Sequence, residues 1–201
     1  MDEVIGIRQR IWHTVLPLTL YVAMYVILIV FRDWIEDYVF GFLGDGTVST
    51  VLYWVFFAGW TVMIFPILHA VDIFFIITMP RNLVTLTYNG INLGKVVKIK
   101  DEKVRGDIIQ VIESRNPPRW LQPKEIDGDH IWEQWWHGAQ ELNLDDIKAF
   151  AFHADHKNIE KRLQSGRTIR GSLVVLTNDG DVYVQPKLND LKSVYERLPS
   201  R

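Results

Sequence analysis

Two long apolar runs near the N-terminus constrain this chain more than any other feature. Residues 11–31, IWHTVLPLTLYVAMYVILIVF, contain no Asp, Glu, Lys or Arg. As one α-helix rising ~1.5 Å per residue, such a run covers the roughly 30 Å hydrocarbon core of a bilayer. The second run, residues 51–79, is broken only by Asp72, and its uncharged part, 51–71, is already long enough. A secretory signal would end in a small-residue cleavage site, whereas residues 31–34 read FRDW, so the first run reads as a signal-anchor. Pro17 and Pro66 fall inside the runs, which a membrane helix tolerates where neighbours satisfy the freed carbonyls.

The flanking charges set an expected orientation. Arg8 and Arg10 precede the first run, and Arg81, Lys95, Lys98 and Lys100 follow the second. The loop between them carries Arg32 against Asp33, Glu36, Asp37 and Asp45. The positive-inside rule then puts both termini in the cytoplasm. Trp12, Trp34, Tyr53 and Trp54 lie near the run ends, where amphipathic rings favour the interface. The expectation is an integral membrane protein with two spans. It comprises a cytoplasmic segment (1–10), a first span (11–31), an external loop (32–50), a second span (51–79) and a cytoplasmic α+β domain (80–201).

Residues 81–201 hold 19 of the 22 basic and 17 of the 24 acidic residues, so this part is near neutral and carries no nucleic-acid footprint. Without cysteine, disulfides and thiolate chemistry are excluded. Residues 83–113 read as strands: LVTLTY alternates up to the turn signal Asn89-Gly90, KVVKIK alternates again, and DIIQVIE is too short to assign by period. A proline-rich loop follows, then a helix over about 129–142 with Trp132, Trp135, Trp136 and Leu142 on one face. DIKAFAFHA is a strand by alternation, and 156–166 is polar with a helical option. A hairpin turns at Asn178-Asp179-Gly180, and an amphipathic helix covers 188–198.

The hairpin of apolar helices, then VTLTYNGINLG, then LVVLTNDGDVYVQPKLNDLKSVYERL, resembles membrane-anchored prokaryotic proteins with a pleckstrin-homology-like domain. The resemblance implies a small antiparallel bent sheet or barrel closed by the C-terminal helix. It also implies a prokaryotic plasma membrane and a role in binding and assembly.

Three sets of residues invite a functional reading. His69 and Asp72 share one helix face as an intramembrane polar pair, either as a proton or ion site or as a boundary carboxylate bonded to a neighbour. His153, Asp155 and His156 have the chemistry of metal ligands at a spacing that matches no known motif. Trp120, Trp132, Trp135 and Trp136 suit an interface or the domain's own core. No HExxH, GxSxG, phosphate loop or nucleotide fingerprint occurs, so no catalytic residue, cofactor or enzyme activity is assigned.

The leading expectation is an accessory or scaffold subunit that packs its hairpin, with small residues at Ala58, Gly59 and Ala70, into a larger membrane complex. Its partners would be other membrane subunits and the bilayer. The alternative is a lipid- or ligand-sensing regulator that uses Lys95, Lys98, Lys100, Lys103 and Arg105.

Overall fold

The structure, a computed structural model, describes residues 2–43, 46–62, 65–116, 119–121 and 138–199. The chain divides into two compact units: a helical unit, Ile11–Ile77, and an α+β unit made of Met1–Arg10 with Thr78–Arg201.

In the helical unit, α1 (Trp12–Val30) leads through a short α2 (Arg32–Ile35), a π-helical turn (Glu36–Phe40) and a 3₁₀ turn (Gly41–Leu43) towards α3 (Gly46–Val62) and α4 (Phe65–Thr78). Helices α1 and α3 pack antiparallel through aromatic pairs. Tyr21 stacks on Trp60 with centroids 5.1 Å apart, and Tyr25 meets Phe57 at 5.3 Å. The phenol of the buried Tyr53 donates to the Leu28 carbonyl at 2.6 Å, and that of Tyr21 donates to the Trp60 carbonyl at 2.6 Å.

The two expected spans are corrected by this unit. Among the described residues no single helix is long and apolar enough to cross a membrane. One pair, Thr14–Val30 with Arg32–Phe40, passes only jointly and by length and composition, and it bends by 83°. The described parts of the second run lie in α3 and α4. The integral two-span location with both termini cytoplasmic is therefore not supported.

The α+β unit contains two sheets. One has the order β1-β2-β3-β6, built from β1 (Glu3–Ile7), β2 (Asn82–Leu86), β3 (Gly90–Leu93) and β6 (Gln140–Asn143), all antiparallel. The other has the order β4-β9-β8-β7-β5, from β4 (Val97–Lys98), β5 (Trp120–Leu121), β7 (Ile147–Ala154), β8 (Gly171–Thr177) and β9 (Val182–Leu188). Its β5 pairs with β7 in parallel. The strands β4 and β5 stand at opposite edges and no barrel closes, which corrects the closed pleckstrin-homology-like sheet.

Helix α5 (Glu102–Glu113) replaces an expected strand. Asp101 caps it, its carboxylate accepting from the Lys103 and Val104 amides at 2.9 and 3.0 Å. Val104, Ile108, Val111 and Ile112 recur at helical spacing, and they pack on Val97, Leu121, Val174 and Val184. The small Ala149 and Ala151 of β7 let the helix approach the sheet. The expected helix at 129–142 is also corrected at its end, since Gln140, Glu141 and Leu142 lie in β6, Leu142 opposite Ile91; residues 129–137 are outside the described residues. Helix α6 (Ile159–Gln164) lies in the polar stretch, and α7 (Leu191–Arg197) ends the fold, with Leu188 in β9.

Two glycines act for different reasons. Gly180 takes φ +79° in the β8–β9 turn, the conformation that favours glycine. Gly90 does not; there a Cβ would come 2.4 Å from the Leu142 carbonyl oxygen, so the β3–β6 approach requires its absence.

Two ties join the sheets. At the N-terminal end, Arg8 bridges Leu188, the Gln9 amide donates to the Lys187 carbonyl at 2.8 Å, and the Asn189 amide donates to that of Ile7 at 2.9 Å. Where the chain passes from β3 to β4, the buried Gln185 side chain takes the place of a strand. Its Oε1 accepts from the Lys95 amide at 3.2 Å, and its Nε2 donates to the Lys95 carbonyl at 2.9 Å. Replacing Gln185 by Met keeps the length but removes both of these bonds. Gln185→Met is expected to cost about 2–4 kcal/mol, read as a lower midpoint in denaturant unfolding.

Candidate functional site

The helical unit displays apolar side chains to its surroundings on more than one face. On α1 these are Leu16, Leu20, Ile27 and Val30 along one stripe and Val22, Val26 and Ile29 beside it. Trp12 and Phe42 are 72% and 78% exposed. A helix without a polar face is at rest only when apolar matter surrounds it. His69 and Asp72 are both half-buried on α4.

The α+β unit carries a half-open groove of about 810 Å³. Trp120 and Tyr195 line it, together with Arg115, Lys157, Lys161 and Glu160. Strand β5 presents Trp120 next to Phe152, 5.1 Å between ring centroids, and Tyr195 of α7 stands 5.8 Å from Trp120. The Arg115 guanidinium donates to the Trp120 carbonyl at 2.9 Å, which fixes a cation beside the rings. The Trp120 indole nitrogen is buried and has no hydrogen-bond partner among the described residues. Trp132, Trp135 and Trp136 lie outside the described residues, so of the tryptophans singled out by sequence only Trp120 is placed.

The proposed metal ligands do not converge: no group of three or more His, Asp or Glu side chains is arranged to hold an ion among the described residues. His153 is buried in β7, whereas Asp155 accepts from the Gln9 side chain at 3.3 Å.

The basic set behaves differently from its sequence reading. Asp181, in the β8–β9 turn, pairs with Lys98 and lies 4.0 Å from Arg105. This hydrogen bond raises the Lys98 pKa above that of an ordinary lysine, against partial desolvation. Lys95 donates to the Thr78 hydroxyl at 3.1 Å, and burial lowers its pKa. At least two of the five cations thus already face a carboxylate. Sequence reading missed Asp181 because the two segments lie far apart in the chain. No family model, curated protein or solved structure matches this chain. The likeness to pleckstrin-homology-like proteins therefore stands on the residues that suggested it.

Burial lowers the pKa of His156, helped by Arg162 and Arg170 and opposed by Asp155. A folded-state pKa below the unfolded value of about 6.5 means that the unfolded chain binds the extra proton. Stability is then fully present above that pH and declines as pH falls below it. The unfolding midpoint should drop between neutral pH and mildly acidic pH, and His156→Gln should make that drop smaller.

Proposed function

We propose that this chain is an accessory or scaffold subunit of a membrane-protein assembly. Its helical unit is covered by apolar surface that the assembly supplies, and its α+β unit offers recognition surface. The observation that carries the reading is the apolar display of α1, which in water would drive association. Lateral packing on other subunits meets that need without two spans in this chain. The exposed Trp12 of α1 and Trp54 and Phe56 of α3 suit such packing, because their rings bury much area in few rotamers. The reading assigns no reaction to the protein.

A lipid-sensing regulator is the less favoured reading. Headgroup capture by Lys98 and Arg105 would have to displace Asp181, a carboxylate already in place. Extraction in mild detergent should yield the chain in fixed stoichiometry with membrane subunits. Charges at exposed positions, as in Leu20→Glu with Ile27→Glu, should abolish that co-purification and leave the circular dichroism of the chain unchanged. Recovery of the chain alone, with the wild-type sequence, would refute the accessory reading.

A further inference from the structure

We infer that the bend after α1, Arg32–Phe40, lies along a zwitterionic membrane surface, with Trp34 and Tyr38 seated among the lipid headgroups. The inference deepens the accessory reading, on which the presence of a membrane rests, and it asks no helix of this chain to cross one. Direction is the first argument. The helix axis turns by 83° between Thr14–Val30 and Arg32–Phe40. A segment nearly at right angles to an apolar helix lies in the plane of the surface when that helix points into apolar matter. One side of the bend is held on α3. Arg32 donates to Glu36 at 2.7 Å, Glu36 accepts from the Thr50 hydroxyl at 3.0 Å, and the Arg32 guanidinium lies 5.1 Å from the centroid of the Trp54 ring.

Residue type is the second argument. Trp34 and Tyr38, four residues apart, stack with centroids at 5.5 Å and are 57% and 74% exposed. Each ring has an apolar body and a polar edge, the combination that places Trp and Tyr at the boundary between headgroups and acyl chains. Charge complementarity is the third. Asp33 and Asp37 precede the two rings in sequence, have the same spacing and are exposed. Carboxylates and aromatic faces both attract an ammonium group, which zwitterionic lipids carry in their headgroups. An anionic leaflet instead attracts Lys and Arg. Arg32 is the one basic residue in this stretch, and Glu36 already engages it.

The test uses the whole chain reconstituted into phosphatidylcholine vesicles whose acyl chains carry bromine, a quencher of tryptophan emission. The bromine sits either near the headgroup or near the bilayer centre. The difference between the wild type and Trp34→Phe isolates the Trp34 share of the emission. That variant keeps a ring beside Tyr38, and unchanged circular dichroism verifies its helices. Shallow bromine should quench the Trp34 share about twofold more than deep bromine, since an interfacial segment sinks only ~5–10 Å into the boundary. Phosphatidylglycerol mixed into the vesicles should reduce the shallow quenching, and Asp33→Lys with Asp37→Lys should reverse that dependence. Stronger quenching by deep bromine, or none by either, overturns the inference. Indifference to phosphatidylglycerol, or to the charge reversal, also overturns it. Should membrane subunits co-purify while Trp34 escapes both lipids, protein covers the bend and the accessory reading stands. The expected quenching in a chain recovered alone separates the two the other way.

Discussion

The α+β unit depends on one side-chain amide. Between β3 and β4 the chain leaves one sheet and enters the other, and at that step the Lys95 peptide group has no strand beside it. Gln185 provides the equivalent of a strand from its side chain, donating and accepting at once while fully buried. Backbone groups that leave one ladder before joining the next need partners, and Gln185 supplies two of them at the entry to β4. The Arg8–Leu188 bridge ties the same sheets at the other end of β9.

Legibility in the sequence followed the range of the deciding interaction. The β8–β9 hairpin was readable because Asn178-Asp179-Gly180 carries its own turn mechanism, and Gly180 does adopt the positive φ. Helix α5 was misread as strand although both of its signals were local: Asp101 as cap, and Val104, Ile108 and Val111 at helical intervals. The neighbouring KVVKIK alternation masked them. β1 was invisible because five residues have no period of their own and gain a partner only from β2, more than seventy residues later. The two apolar runs were legible as composition. The 83° bend between Thr14–Val30 and Arg32–Phe40 was not, since hydropathy does not register a change of direction.

The candidate site was legible only in part. Trp120 stood out for its residue type, but its company could not be read, because Arg115, Lys161 and Tyr195 come from three separate stretches. The basic stretch 95–105 was visible and over-read. Asp181, brought in by the β8–β9 turn, changes that cluster from an open anion site into a paired one. What persists at the functional level is a division of chemistry: an apolar helical unit in need of cover, and an α+β unit with a basic, aromatic groove.

The pairing of β1 with β2 has a consequence for how the chain is made. Glu3–Ile7 is made before the helical unit, yet its neighbour Asn82–Leu86 appears only after the whole helical unit has been synthesised. The tie of Ile7 to Asn189 waits until β9 has been made as well. Closing such long loops is slow for entropic reasons. β1 is therefore an orphan edge for as long as the helical unit is being made, and the helical unit can fold before the α+β unit is complete.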